Sequence, residues 1–346
     1  MAFAEIVGQS DAAERFLNTL RSSRMAHAYI VCGPRGVGKS AFAHEMAKAI
    51  LCRTPAPTAE ACGHCNSCLK CDHDTHPELA TLERLAGRQN ILVEQVEALR
   101  EEWFSLRPVE SDRKVCLVLE ADRMNEEVAN RLLKILEEPS GDTVFILTTA
   151  RLEALLETIV SRCQILRLRQ VPEDEIAEAL RRRHPTAPAS AIRLAARLSG
   201  GSPGRAEELL DEDVLQRAQW AVTLVNSVRP DSVAQVMGEL MGYVGRKGRE
   251  RLEDARQRLT VIMESLVLHW KDILMGLALG EPPGARGVVP EHAQRPAWQV
   301  EAFLDAALEA ETRLLANVNL TALVQAMLAR MARAQATESG CSPSNR

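Results

Sequence analysis

Two groups of residues combine side-chain type with spacing in a way that chemistry requires. One is Gly33-Pro34-Arg35-Gly36-Val37-Gly38-Lys39-Ser40, which reads G-x-x-x-x-G-K-S. Glycines in such a loop let backbone N–H groups turn inward on a phosphate at a helix N-terminus. Lys39 would then reach the β- and γ-phosphates and Ser40 would ligate Mg²⁺, which makes the segment a binding loop for ATP or ADP. The other group is Cys52, Cys62, Cys65, Cys68 and Cys71, spaced C-x9-C-x2-C-x2-C-x2-C. A C-x2-C pair puts two thiolates on one ion, and tetrahedral Zn²⁺ takes four ligands. Cys52, Cys62, Cys65 and Cys68 make one set. Cys71 is then surplus, though it could replace one of them, and His64, His73 and His76 are alternatives. Thiolates on all sides leave no open coordination position, so the metal would be structural. Redox chemistry is the competing account of a C-x2-C pair, but nothing thioredoxin-like surrounds this one.

Hydrolysis asks for more than a phosphate loop. A phosphate-loop ATPase holds Mg²⁺ with an Asp at the end of a second strand, usually followed by a Glu that positions the attacking water. The candidate strand reads Val115-Cys116-Leu117-Val118-Leu119-Glu120-Ala121-Asp122. Leu119 stands where the Asp belongs and cannot ligate a cation, while Glu120 takes the following position. Either Glu120 or Asp122 substitutes, or the site binds nucleotide and turns it over poorly. The second reading is favoured, because Asp122 lies beyond the strand end, where capping the next helix accounts for it at least as well.

The elements that must position these residues follow from the apolar pattern. Ala28–Cys32 is a short apolar run stopping at Gly33, as a buried strand would, and Ser40–Leu51 has helical spacing. The phosphate loop thus sits between strand and helix, the context it needs. Runs at Lys114–Leu119, Thr143–Thr149 and Gln164–Leu168 read as further strands buried on both faces. Helical spacing recurs at 9–24, 91–106, Asn125–Glu138 and Leu152–Val160. Strand and helix in alternation predict an α/β parallel sheet over residues 1–170. Residues 53–77 have no period and need something other than a core to fold them. From Pro172 onward only helices are expected: a small group over 171–211, then an all-α region over 212–336 interrupted by a Pro- and Gly-rich loop at 280–295, and a tail at 337–346.

Composition narrows the function. With 346 residues and 46% hydrophobic content, the chain supports two or three real cores. No window approaches about 18 consecutive apolar residues and no signal peptide is evident, so a cytoplasmic protein without a membrane span is expected. Nine cysteines, an odd number, argue against a disulfide framework. A net charge of −5 and only 3% aromatic residues argue against free-standing nucleic-acid binding, though not against meeting DNA in company. The basic run Arg246-Lys247-Gly248-Arg249 is followed at once by Glu250, Glu253 and Asp254 and reads as a solvated face. Arg162, in Ser161-Arg162-Cys163, would by itself be a surface salt-bridge partner, and Gly204-Arg205 is equally plain.

Taken together, the motifs resemble the bacterial DNA polymerase III clamp-loader family. The resemblance rests on Val7-Gly8-Gln9, the phosphate loop, the cysteine cluster after its helix, and Thr75-His76-Pro77-Glu78. Ala129–Pro139 (ANRLLKILEEP), Thr148-Thr149 and Ser161-Arg162-Cys163 add to it. It covers residues 1 to about 210 and thins beyond to Asn317-Val318-Asn319 and the closing helix Leu320–Arg333. It implies an AAA+ fold: an α/β ATPase domain, a helical lid, and an all-α collar joining five subunits in a ring that loads the sliding clamp onto primed DNA. It further implies that Val7 and Thr148 border the nucleotide, and that Arg162 is an arginine finger reaching a neighbour's ATP site. Two subunit types share these motifs, the gamma/tau motor and delta-prime. Leu119, the late Arg205 after Gly201-Ser202-Pro203-Gly204, and the end of the chain just past the collar favour delta-prime, with gamma/tau and delta subunits as partners. The intact phosphate loop is more motor-like, so a gamma/tau-type ATPase is the alternative, and an AAA+ scaffold outside replication a second one.

Overall fold

Strands β1 (Ala28–Cys32), β3 (Lys114–Val118) and β4 (Thr143–Thr149) are buried along their whole length. They form the middle of a parallel sheet in which β2 (Leu79–Leu82) and β5 (Gln164–Arg167) are the edges, in the order β2-β3-β4-β1-β5. Alternate side chains feed two cores, one on each face. Tyr29, Val31, Val115, Leu117, Val144 and Ile146 meet Phe16 of α1 (Ser10–Arg21) and Phe42 and Met46 of α2 (Lys39–Leu51). On the other face Ile30, Cys116, Val118, Phe145 and Leu147 meet Val96 of α4 (Val93–Ala98) and Val128 and Leu132 of α5 (Glu126–Glu137). The α/β parallel sheet expected from the alternation is present. All pairs run parallel because each crossover carries a helix or a long loop.

The computed structural model describes residues 3–22, 24–85, 88, 90–137, 142–210, 212–244, 252–280, 294–314 and 319–336. Glu138 and Pro139, the basic run 246–249, most of the 280–295 loop, Asn317, Val318 and the tail 337–346 lie outside the described residues. The chain divides into two compact units, Met1–Glu208 and Leu209–Arg346. The first includes the sheet, α3 (Asn66–Asp72), α6 (Glu157–Val160), α7 (Glu173–Arg183) and α8 (Ala189–Leu198), with α9 (Pro203–Leu209) at its end. The second is helical throughout its described residues: α10 (Glu212–Asn226), α11 (Val233–Val244), α12 (Leu252–Leu279), α13 (Ala297–Leu314) and α14 (Leu320–Ala336). Its core gathers Leu259, Leu266, Trp270, Phe303, Val324 and Leu328. Among the described residues no helix is long and apolar enough to cross a membrane.

Several local expectations change. The run at Gln164–Leu168 is not buried on both faces: β5 is an edge strand with Gln164 and Arg167 exposed. The helix expected over Leu152–Val160 is a 3-10 turn at Leu152–Ala154 followed by the four-residue α6. Residues 53–77 are not without secondary structure, since α3 forms within them. The helix expected over 91–106 ends at Ala98 and passes into a wider π-helical turn over Leu99–Trp103. There the Trp103 indole donates to Pro77 O at 2.8 Å, and the Lys114 ammonium donates to the carbonyls of Trp103 and Leu106. The wide turn is closed by Phe104 N–H bonding Leu99 O at 3.0 Å, and the Trp103 and Leu106 carbonyls, taken by Lys114, carry the helical ladder no further. The edge strand β2 is a further change, absent from the sequence reading.

Candidate functional site

Gly33 to Ser40 connect β1 to α2. Gly36 and Gly38 take φ of +74° and +92°, the left-handed region that a side chain resists. Gly36 is also pressed from outside. A Cβ there would stand 2.0 Å from Ser202 Oγ, and Gly36 O accepts a hydrogen bond from Gly204 N–H at 3.3 Å. Ser202 Oγ in turn accepts from Arg205 N–H and caps α9. Lys39 folds back along its own loop and donates to Pro34 O at 2.6 Å. Burial pulls the Lys39 ammonium below its ordinary pKa, opposed by the negative charge of Asp122. Val7 lies before Gly8, whose carbonyl accepts from Arg169 Nε, and the Gln9 amide bonds the Arg169 backbone in both directions at 2.8 and 3.1 Å. The Val7-Gly8-Gln9 segment is thereby stapled to the chain just after β5. A cavity of about 1060 Å³ opens beside Val7 and Gly8, between α1 and α7; no phosphate-loop residue lines it.

Beyond β3, Leu119 packs on the core face that holds Phe42. Glu120 takes left-handed backbone angles, φ 51°. Its N–H donates to Thr148 Oγ1 at 2.9 Å, and its carboxylate accepts from Arg84 Nε at 2.6 Å. Sequence reasoning missed Arg84. Leu82 pairs in register with Val118, so Arg84 and Glu120 are two residues past a matched pair on neighbouring parallel strands. Asp122 caps the end of β4 rather than a helix. It accepts from Thr149 Oγ1 at 3.1 Å and Ala150 N–H at 3.3 Å, with Arg151 at 3.6 Å. Burial would raise the Asp122 pKa, but these bonds outweigh it and hold the carboxyl below the usual range. The helix cap falls to Asn125, which accepts from Val128 N–H at 2.9 Å.

Arg162 ends the turn after α6. It donates to Thr158 O at 2.9 Å and pairs with Glu137 at 2.7 Å, both side chains about two-fifths exposed.

Cys52, Cys62, Cys65 and Cys68 converge. Their sulfurs all lie within 4.8 Å of one another, with Cys52–Cys65 and Cys62–Cys68 each at 3.9 Å. Zinc–sulfur bonds of about 2.3 Å place sulfurs of a tetrahedron about 3.8 Å apart, so the set fits the ion. Backbone amides already point at the sulfurs: Cys62 N–H at Cys52, Cys65 N–H at Cys62 and Cys68 N–H at Cys65, at 3.3 to 3.4 Å. The Thr54 hydroxyl bond pulls the half-buried Cys62 thiol down to about 5. Cys71 is not among the four. It is buried in the core beside α2, and burial pushes its thiol up to about 12. His64 bonds Cys62 O, and His76 is sealed inside against Ser67. His44, Glu45 and Asp72 also cluster, but the buried Lys48 ammonium, 2.7 Å from Asp72 and 3.3 Å from Glu45, already supplies a cation there.

Residues 8–172 match the family described as DNA polymerase III, delta subunit. The DNA polymerase III subunit delta' of Pseudomonas aeruginosa is 42% identical over 211 residues, 60% of this chain and 63% of that protein. Over just under half of its length the chain is thus similar to the DNA polymerase III delta-type family. Within that family the Bacillus subtilis subunit delta' is 36% identical over 163 residues, 47% of this chain and 48% of that protein. The subunit gamma/tau of Mycobacterium tuberculosis is 32% identical over 231 residues, 66% of this chain and 39% of that protein. The match spans less than two thirds of each of these clamp-loader relatives.

Proposed function

We propose that this chain is a delta-prime-type subunit of a clamp-loader complex that binds adenine nucleotide, hydrolyses it feebly, and lends Arg162 to a neighbour's ATP site. The observation that carries the reading is the Mg²⁺ side of the site. Leu119 stands where the metal-binding carboxylate belongs, Glu120 is ion-paired to Arg84, and Asp122 is spent on Thr149 and Ala150. Lys39 and Ser40 remain at the start of α2 to take the phosphates. In the complex, Glu120 would have to leave Arg84 before it could orient water. The partners in this reading are gamma/tau and delta subunits, and through them the sliding clamp and primed DNA, in the cytoplasm. Residues 171–211 serve as the lid and 212–336 as the collar. A structural Zn²⁺ on Cys52, Cys62, Cys65 and Cys68 orders residues 52–71.

The second reading is a gamma/tau-type motor, favoured by the complete phosphate loop and by the similarity to the Mycobacterium subunit over 231 residues. Nucleotide titration and turnover assays on the wild type and Lys39→Ala separate the two. Tight ATP or ADP binding that is lost in Lys39→Ala, with negligible turnover by the wild type, supports the delta-prime reading. Equal affinity in both proteins defeats nucleotide binding, and brisk turnover by the chain alone defeats the weak-ATPase assignment.

A further inference from the structure

Beyond the four sulfurs lies a hydrogen-bonded chain that neither the phosphate site nor the metal ligands account for. The Ser67 hydroxyl donates to Leu51 O at 2.7 Å. Leu51 is the last residue of α2, and Cys52 follows it directly. Ser67 itself sits between Cys65 and Cys68 at the start of α3. One hydroxyl therefore ties the segment bearing the first sulfur to the segment bearing the third and fourth. His76 Nε2 lies 2.7 Å from the same oxygen. Because the Ser67 proton is committed to Leu51, the imidazole N–H must be the donor there. The other ring nitrogen, 3.4 Å from Glu78 Oε2, accepts from Glu78 N–H at 3.2 Å, the arrangement of a neutral ring with its proton on Nε2. Burial lowers the His76 pKa despite the nearby Glu78, in keeping with the neutral ring. Glu78 Oε1 is held by Val109 N–H at 2.7 Å and Glu110 N–H at 3.2 Å. Ser67, His76 and Glu78 are 1%, 3% and 2% exposed. The order of groups is that of a hydrolase triad, but the hydroxyl points at a carbonyl and no substrate could reach it.

We infer that Ser67 and His76 are positioning residues for the four-cysteine site, holding its two ligand-bearing segments in register before metal arrives. This rests on the zinc reading above and adds to it the residues that set the affinity. A metal site pays for bringing its ligands together unless the fold has already done so. The stretch from Arg53 to Ala61 is exposed or half-buried and supplies little packing to do that. The Leu51–Ser67–His76 chain does, from the buried side. Groups that orient ligands without touching the metal typically contribute 10- to 100-fold, on the order of one to two decades, in metal affinity.

The test uses the full chain and zinc itself, with affinity read by competition against a chromophoric chelator and geometry read from the absorption of the cobalt-substituted protein. Ser67→Ala and His76→Leu should each weaken zinc by about 10- to 100-fold while the cobalt spectrum stays that of a tetrahedral tetrathiolate. His76→Gln, whose amide nitrogen can replace Nε2–H, should recover most of the loss. Thermal unfolding checks the fold, and if His76→Leu does not fold, Ser67→Ala, a loss of one buried oxygen, decides the matter. Zinc affinity within twofold of wild type in the folded variants overturns the inference. Failure of the zinc reading looks different: no zinc in the wild type, and Cys62→Ser indistinguishable from it.

Discussion

Replacing Arg162 by Ala separates two roles by their size. In this chain Arg162 makes one exposed ion pair, with Glu137 at 2.7 Å, and donates to Thr158 O and, at 3.5 Å, to Ser161 Oγ. An exposed pair of this kind contributes about 0–1 kcal/mol. In a unit the size of Met1–Glu208, a loss of 1 kcal/mol lowers Tm by about 2–4 °C. A purely local role therefore predicts a slightly less stable protein and an unchanged complex. A finger acting on a neighbour contributes about 10³–10⁵ in rate, or about 4–7 kcal/mol of transition-state stabilisation. The two accounts differ by several kcal/mol, well outside the error of either measurement. The assay is single-turnover ATP hydrolysis by the chain reconstituted with gamma/tau and delta subunits, sliding clamp and primed DNA. Arg162→Ala should assemble, keep its own nucleotide affinity, and lose the fast-phase amplitude belonging to the one site it faces. Arg162→Lys should rescue little, since an ammonium cannot make the guanidinium's bidentate contact. Full amplitude from a stably assembled Arg162→Ala complex would refute the reasoning.

Other expectations follow from single residues. Gly36→Ala should cost about 1–2 kcal/mol from its φ alone, and more from the collision with Ser202; thermal unfolding and nucleotide affinity both unchanged would contradict the loop geometry. Metal analysis should find one zinc per chain in wild type and Cys71→Ser and none in Cys62→Ser, and a zinc-free Cys71→Ser would reassign the ligands. For Asp122 the folded pKa is lowered, so its stabilisation is complete above the unfolded value of about 3.9 and is lost as pH falls through the folded one. The stability gap between wild type and Asp122→Asn, measured by denaturant unfolding at pH 7, should accordingly narrow below about pH 4. A gap that stays constant down to the acid transition would count against that.

Much of the fold is legible because burial on both faces writes itself as uninterrupted apolar sequence. Ala28–Cys32 and Thr143–Thr149 could be read directly, and the phosphate loop follows from its place between strand and helix. Leu79–Leu82 left no such trace. It is a four-residue edge strand, mostly half-buried, and a short mixed segment after Pro77 looks like any loop. The spacing of the cysteines pointed to their convergence, since a knuckle is local. What stayed hidden was everything that depends on register. Arg84 beside Glu120 requires knowing that Leu82 pairs with Val118. Glu137 beside Arg162 joins residues 25 apart across a helix and a strand. Ser67, His76 and Asp122 were visible as residues, but each is also held by main-chain atoms (Leu51 O, Glu78 N–H and Ala150 N–H), which a sequence does not distinguish from one position to the next.

The contact between Gly36 and Ser202 makes the phosphate loop and the residues that open α9 a single mechanical object. The Gly36 carbonyl accepts from Gly204 N–H, and the space a side chain at Gly36 would need is filled by the hydroxyl that caps the helix. Any shift of the Gly36 peptide toward a phosphate displaces that hydroxyl, and any rotation of the helix start pulls on the loop. Coupling of this sort is reciprocal: whatever free energy nucleotide spends in moving Ser202, a force applied at Ser202 returns as a change in nucleotide affinity. In the proposed role, with feeble hydrolysis, such coupling would let the chain act as a gauge, converting the strain of its surroundings into how tightly it holds a phosphate.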